Sequence, residues 1–343
     1  MKSYKYLFFI LTILIFLANI CYADSSIADI TEMGIGARPL AMGKAFIAIE
    51  NDANSIILNP AGLSKIVTPR FTSMKTSILS DISYTMLGLA VPSRIGAFGV
   101  GFVLSAIPSI PLTRWTGTGA NIRPEQYGST DYSSYVVILS YAPKLPEKLL
   151  NKINLGANLK IYSQGFSGGG ASLEGATGSG YNFDFGMQFK PNNWQRLALV
   201  ITNFLPASNG GVFKWTRNNI SESIPSTMKL GYSAKILGVD GLKQFQDEEL
   251  TFTFDDEIYT NQTKPSQMHL GIEWWPIEYF ALRCGLDQKA QADTSGISIS
   301  NNLTAGIGIK YSNFSFDYAY TKTSDLDDSA SHFFSIGFAA PTK

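Results

Sequence analysis

Tyr181-Asn182-Phe183-Asp184-Phe185-Gly186-Met187-Gln188-Phe189 alternates without a break, with five large apolar side chains on one parity and two amides, an acid and a glycine on the other. Successive side chains of a strand point to opposite faces, so this stretch folded as a strand has one greasy face and one polar face. The same period of two governs Ile153–Ile161, Met228–Ile236, Met268–Trp274, Leu303–Tyr311 and Phe314–Tyr320. About fourteen such strands can be placed, starting near Phe71, Ile82, Ile95, Tyr132, Lys152, Ser179, Arg196, Thr227, Glu248, Gln267, Tyr279, Asn301, Phe314 and His332. A soluble antiparallel sandwich alternates in the same way, so the period alone leaves both architectures open.

Connection lengths and face chemistry separate them. Long connections fall at 106–131, 164–178, 205–226, 288–300 and 322–331, and short ones at 92–94, 143–151, 191–195, 276–278 and 312–313. Tight turns at one end and long loops at the other are the habit of outer-membrane barrels. Large aromatics recur near strand ends on the apolar parity, among them Tyr181, Phe189, Tyr311, Phe314, Tyr320, Phe334 and Phe338, where bilayer interfaces favour them. The opposite parity holds Lys160, Asp184, Lys229, Glu273, Arg283, Lys310 and Asp317. Buried unpaired in a sandwich these groups would be costly; facing a wet lumen they are not. The expected fold is therefore all-β, a transmembrane antiparallel β-barrel of about 14 strands, with a soluble secreted β-sandwich adhesin as the alternative.

The whole chain agrees. Its 343 residues carry 27 Lys+Arg and 27 Asp+Glu, 16% charged and 13% aromatic, with a mean hydropathy of +0.05. Zero net charge gives no electrostatic footprint for nucleic acid. The apolar content excludes disorder, and the neutral hydropathy excludes a bundle of membrane helices. Lys2 and Lys5 precede the apolar run Tyr6–Ile20, and Cys21-Tyr22-Ala23 offers a small-residue cleavage site. Residues 1–23 thus read as a signal peptide, with an uncleaved anchor as the other possibility. Export leaves Cys284 without a disulfide partner; flanked on its parity by Phe280, Leu282 and Leu286, it reads as a small hydrophobe.

Residues 24–70 do not alternate. Gly34, Gly36, Ala37, Ala41, Gly43, Ala45 and Ala48 permit close backbone approach. Asp52 can cap a short helix over Ala53–Leu58, and Asn59-Pro60 supplies an N-cap with Pro at N1. Within this stretch, Gly36-Ala37-Arg38-Pro39-Leu40-Ala41-Met42-Gly43-Lys44-Ala45-Phe46, Asn51-Asp52-Ala53-Asn54 and Asn59-Pro60-Ala61-Gly62-Leu63 resemble the amino-terminal signature of PorV/PorQ-type proteins in the FadL-like outer-membrane superfamily. Lys44 stands where that family usually has glycine. The resemblance implies an amino-terminal hatch (24–70, with Gly36, Ala37, Arg38, Met42, Gly43, Asn59, Pro60, Ala61 and Gly62 as its motif) inside a barrel formed by 71–343. It further implies a bacterial outer-membrane protein with both termini periplasmic. Such a protein would pass or bind hydrophobic molecules, or serve type IX-like secretion of exported protein cargo; a long-chain fatty acid or hydrophobic-compound uptake channel proper is the alternative.

Signals for chemistry are sparse. The two histidines, His269 and His332, lack a visible nucleophile and oxyanion arrangement, and no His/Cys spacing suggests zinc. Gly165–Gly180 lacks the Gly-Lys-Ser/Thr of a phosphate loop. The acidic groups at 247–249, 255–257 and 325–328 match no EF-hand and read as solvated strand ends. The expectation is a non-enzyme without cofactor or metal, with outer-membrane lipid as its surroundings. Trp115, Phe213 and Trp215 are expected to form an aromatic surface on the external loops. Tyr135–Tyr141 and Ile95–Leu104 are apolar or small on both parities, which fits a wall packed on the hatch or an apolar ligand.

Overall fold

The computed structural model describes residues 27–341 apart from 79–80, 147–151, 171–172, 174, 246, 261–263, 294–295 and 323–329. The leader expected at 1–23 and the acidic group 325–328 lie outside the described residues. After Ile27–Pro69 the chain is almost wholly strand. The first seven strands are β1 (Arg70–Ile78), β2 (Ile82–Pro92), β3 (Gly96–Thr116), β4 (Arg123–Pro143), β5 (Ile153–Gly168), β6 (Thr177–Phe189) and β7 (Gln195–Thr202). A small hairpin, β8 (Val212–Trp215) and β9 (Ser221–Ser223), precedes β10 (Thr227–Leu237) and β11 (Glu249–Tyr259). The rest are β12 (Gln267–Ile277), β13 (Phe280–Asp293), β14 (Gly296–Tyr311), β15 (Phe314–Lys322) and β16 (Ala330–Ala339).

Fourteen of these strands close into a ring, each antiparallel to its neighbours. β1 pairs with both β2 and β16, β7 passes to β10, and β5–β6 completes the circuit. At the seam Phe71 stands between Leu89 and Phe338. The β8–β9 hairpin hangs on Thr177–Gly180 of β6. Closure leaves no edge, as a sheet in lipid requires.

The two faces are inverted relative to a soluble protein. Outward are Leu87, Leu89, Phe98, Leu139, Ile161, Phe185, Leu230, Ile272, Leu282, Leu303, Ile307 and Phe334, all exposed. Inward and buried are Asn158, Lys160, Asn182, Asp184, Gln188, Thr253, Asp255, His269, Glu273, Arg283, Asp287 and Asn302. Cys284 sits on the outer parity and is exposed, as its neighbours imply.

Turns at one end are short: 93–95, 190–194, 278–279 and 312–313. Three connections expected to be long loops at the other end are instead strand. β3 and β4 continue to a turn at 117–122, β5 and β6 consume most of 164–178, and β13 runs on to Asp293. At about 3.3 Å per residue, the 21 residues of β3 extend about 70 Å, more than twice what a tilted spanning strand of about ten residues provides. The β3–β4 ladder therefore projects beyond the ring as a free-standing hairpin. Its polar, turn-rich sequence concealed this, because pairing across the hairpin and not local propensity holds it.

Residues 27–69 lie within the ring. Ile30–Met33 forms a 3-10 turn, Ala37–Ala41 and Ser55–Leu58 are one-turn helices, and Pro60–Lys65 is again 3-10. The last is capped as expected, Asn59 Oδ1 accepting from Ala61 N at 3.1 Å. The helix expected from Ala53 begins two residues later; Asp52 accepts from Asn54 N at 2.8 Å and uses its other oxygen elsewhere. The two ends of the described chain are separated. Ile27 N donates to Ser223 O on the β8–β9 hairpin, at the end of the barrel opposite the short turns, whereas Ala340 N donates to Pro69 O at the short-turn end. Among the described residues the segment thus runs along the barrel before β1 begins.

Candidate functional site

An irregular segment in a dry interior must find partners for its backbone N–H and C=O groups, and inward wall side chains supply them. Asp255 Oδ2 accepts from Phe46 N at 2.7 Å and Ile47 N at 3.0 Å. Gln188 Nε2 donates to Ile47 O and Ile49 O at 3.0 and 2.9 Å. Asn158 Nδ2 donates to Ile56 O at 3.0 Å. Thr304 Oγ1 accepts from Gly43 N and donates to Ala41 O, both at 3.0 Å. Ser335 Oγ accepts from Ala37 N at 2.8 Å. This is the physical reason the wall is polar where the segment passes.

Where the segment touches the wall, the wall gives way. A Cβ at Gly186 would overlap Asn59 Oδ1, and one at Gly156 would overlap the Pro60–Ala61 backbone. Gly271 and Gly285 likewise face Met42 and Gly43. Lys44, in the glycine position of the resembled motif, adopts φ +68°, a left-handed backbone that favours glycine.

The expected lumen residues all face inward, and they gather in three groups. In the first, Arg38 bonds Glu273 through Nε at 2.7 Å and Nη2 at 2.6 Å, and Asp52 through Nη1 at 2.6 Å. Arg283 bonds the same Glu273 at 2.7 Å and Asp317 at 2.7 Å. Lys310 lies over the Trp275 ring, 3.8 Å from its centroid. In the second group, Lys160 Nζ is 3.1 Å from Asp184 and 3.9 Å from Asp29. Asp29 also accepts from Asn203 Nδ2 at 2.9 Å and lies 3.0 Å from the Tyr162 hydroxyl. Burial pushes the Asp29 carboxyl up, but Lys160, Thr31 and Asn203 outweigh it and hold it below the usual range. In the third, Lys229 meets Glu257 at 3.0 Å, and His269 lies 3.1 Å from Asp287 and 3.7 Å from Glu257. Lys44 reaches Asp287 at 3.6 Å. Glu32 approaches this group; burial, then Glu257 and Asp29, raise its carboxyl to about 7.

Asp29, Asp287, Tyr162 and Asn203 were not singled out from sequence, and Asp255 and Glu257, expected within 255–257 as solvated strand ends, are instead buried against the segment and Lys229. Nothing local in the sequence distinguishes a wall carboxylate that grips the segment from one that meets water.

The opposite side of the lumen is apolar. Ile56 packs on Gly99 and Gly101 of β3, and Ile57 and Leu63 belong to one buried cluster with Val103, Val136 and Ile138. The two-sided apolar walls expected at 95–104 and 135–141 are thus packed on the segment. The cluster continues through Ile27, Ile30, Tyr84 and Met86 to Phe213 and Ile224.

This relocates the aromatics expected outside. Phe213 is completely buried against Gly178, and Trp215 packs edge-on to it at 5.2 Å, because the β8–β9 hairpin folds over the barrel end. Trp115 is exposed as expected, at 75%, but on the β3 strand and not on a loop.

At the short-turn end a cavity of about 390 Å³ opens between the segment and β12–β16. Arg38, Arg70, Arg283, Lys310, Asp52 and Asp317 contribute its charged lining.

The fold and its occupied lumen define a closed fourteen-strand antiparallel barrel. No family model matches the sequence, and no curated protein matches it. Solved structures do share the fold. The Pseudomonas putida toluene transporter TodX superposes with a TM-score of 0.58 at 11% identity, over 89% of this chain and 98% of its own. The Ralstonia pickettii toluene transporter TbuX gives 0.56 at 12% identity, over 90% and 99%. The monoaromatic hydrocarbon channel CymD gives 0.56 at 12%, over 90% and 98%.

Proposed function

We propose that this chain is an outer-membrane channel that passes a hydrophobic small molecule, with residues 27–69 acting as a hatch. The observation that carries this reading is the continuous apolar sector inside an otherwise polar lumen, running from Ile27, Tyr84 and Met86 at one end to Ile56, Ile57 and Leu63 at mid-barrel. A barrel that conducted ions or sugars would have no use for that stripe, whereas a hydrophobic ligand entering from the hairpin end would compete with the hatch for it. The fold shared with toluene and monoaromatic hydrocarbon channels supports the same substrate class. In this reading the short turns face the periplasm, as is usual for outer-membrane barrels. Ligand release follows when the hatch shifts.

The test uses purified protein in liposomes. Ala37 N lies 2.8 Å from Ser335 Oγ, so A37C/S335C on a C284S background can be cross-linked to lock the hatch to the wall. Uptake of a labelled aromatic hydrocarbon should stop on cross-linking and resume on reduction. Unaltered uptake in the locked protein would overturn the hatch, and no uptake by unmodified protein would overturn the channel.

A second reading, PorV-type service to protein secretion, is supported by the projecting β3–β4 hairpin, whose Trp115, Ile122 and Tyr127 are exposed. It requires that loss of 110–128 impair export of other proteins while hydrocarbon uptake continues.

A further inference from the structure

We propose that the short-turn mouth of the barrel is a docking surface for a soluble polypeptide with an acidic stretch, held along the rim from β14 through β1 to β6. The backbone fixes the cations of this arc beside one another. Lys144 N donates to Ile95 O at 2.9 Å, which sets the β4–β5 connection against the β2–β3 turn that carries Arg94. Lys190 N donates to Lys152 O at 2.7 Å, one pair beyond Ile153 and Phe189 on the β5–β6 ladder. Like charges held side by side repel, and among the described residues Arg94, Lys144, Lys152 and Lys190 form no ion pair. Residues 147–151 of the same connection add Glu147 and Lys148, which cancel. Arg70 and Lys310 carry the arc into the cavity of the mouth. Arg70 Nε is buried without a hydrogen-bond partner, and the Lys310 ammonium rests on the Trp275 ring at 3.8 Å from its centroid. The carboxylates at this end of the arc are already engaged, Glu50 by Arg196, Asp52 by Arg38 and Asp317 by Arg283.

Across the mouth the sign reverses. The β10–β11 connection carries Asp240, Asp247 and Glu248 against Lys243, and the β12–β13 turn carries Glu278. The mouth is thus bipolar in a chain whose net charge is zero. Breadth and facing decide the occupant. From β14 to β6 the rim makes eight steps between paired strands, about 38 Å at roughly 4.8 Å per step. One small anion cannot span that, whereas an extended peptide of about a dozen residues does. Lys152 and Lys190 line a recess with Asn154, Gln188 and Arg196, on the lumen side of the wall, so they address what covers the mouth and not the lipid around the barrel. An acidic stretch is attracted by this arc and repelled by the opposite one, which orients the partner. The surface is independent of what the barrel passes; the proposed channel only places it on the periplasmic side.

The experiment titrates the full-length protein in a neutral detergent with fluorescein-labelled dodecaglutamate, read by anisotropy at low and physiological salt. One peptide should bind per barrel, more weakly as salt rises. K152E/K190E, R94E/K144E and R70Q/K310Q should each weaken binding at least tenfold, and K152R/K190R should retain it. K214E/K243E changes net charge equally but away from the arc, and should leave binding intact. Heat-modifiable migration of each variant verifies that the barrel is folded. Binding unchanged in K152E/K190E, or lost equally in K214E/K243E, would overturn the docking surface. So would displacement of the peptide by dihexanoyl phosphatidylglycerol or inorganic phosphate at the same charge concentration, which would reassign the cations to a lipid head group or a small anion. Peptide binding in detergent requires no passage, so it can fail while hydrocarbon uptake succeeds, or the reverse.

Discussion

Arg38→Met tests whether the segment inside the barrel is held by its ionic contacts. Arg38 makes two bonds to Glu273 and one to Asp52, and its side chain is 24% exposed against 4% for Glu273 and 13% for Asp52. Removing one partner of a buried ion pair costs about 3–5 kcal/mol, chiefly because the remaining charge is stranded. Here the stranding is partial. Glu273 keeps Arg283 at 2.7 Å, and Asp52 gains water once released. The lower bound applies, about 3 kcal/mol, or about a hundredfold in the equilibrium between seated and displaced segment. Arg38 contributes nothing to the strand ladder, so the barrel itself should stay folded. Hydrogen exchange of amides 37–52 in detergent reads the seating, and migration without boiling reads the barrel. Exchange should rise by about two orders of magnitude while migration stays unchanged. Adding E273Q to Arg38→Met should give back at least about 1 kcal/mol, since the two sites are coupled. Unchanged exchange in Arg38→Met, or full additivity with E273Q, would refute the reasoning.

Three further outcomes are expected. Leu303 lies mid-way along β14 and is 69% exposed on the outer face; Leu303→Arg should cost about 2–4 kcal/mol in folding into liposomes if that face meets lipid, and close to nothing if it meets water. Gly186→Val should eject the Asn59–Pro60 turn, which a Cβ would overlap, giving protease cleavage within 51–65 while the ring persists; a protected segment would contradict that packing. Because the Glu32 carboxyl is raised from 4.5 to about 7 in the folded protein, its contribution to seating is complete below pH 4.5 and lost as pH rises to about 7. Protection of amides 27–35 should therefore fall between about pH 4.5 and 7, and Glu32→Gln should remove that dependence.

The ring was legible from period alone because lipid on one side and a polar lumen on the other impose strict alternation. Tyr181–Phe189 and Leu303–Tyr311 each declare a face at every residue, and expected strand starts such as Phe71, Ile82, Thr227, Gln267 and Phe314 fall within one residue of those observed. What failed to show was whatever lies outside the bilayer. Past about residue 107 of β3 no lipid enforces alternation, so the hairpin to Arg123 read as a loop. Phe213 read as external because nothing in Val212–Trp215 reveals that its hairpin folds over Gly178. Within the segment, Arg38 and Asn59-Pro60 were recognisable by their motif, but their partners were not: Glu273 lies 235 residues from Arg38 in sequence, and only closure of the ring brings them together.

The lumen's two sides differ in how they can let go. On the ionic side the segment is held by hydrogen bonds to Asp255 and from Gln188, Asn158 and Thr304, each worth about 0.5–1.5 kcal/mol net because water replaces it on release. On the apolar side Ile56, Ile57 and Leu63 pack on β3 and β4, each burial worth about 1.5–3 kcal/mol, and water cannot replace those contacts. Wetting the lumen therefore loosens only one side, and the segment stays. On the proposed function a hydrophobic solute reverses the balance: it occupies the sector that the isoleucines and leucine fill, while water entering opposite satisfies the freed amides and carboxylates. On that reading, release of the hatch is then selective for solutes that partition onto the Val103–Val136–Ile138 surface. It follows that Val136→Asn and Ile138→Asn, by making that surface wettable, should raise leak of small polar solutes and depress uptake of hydrocarbons in the same liposomes. A drop in both fluxes together would mean that the apolar sector only fastens the hatch.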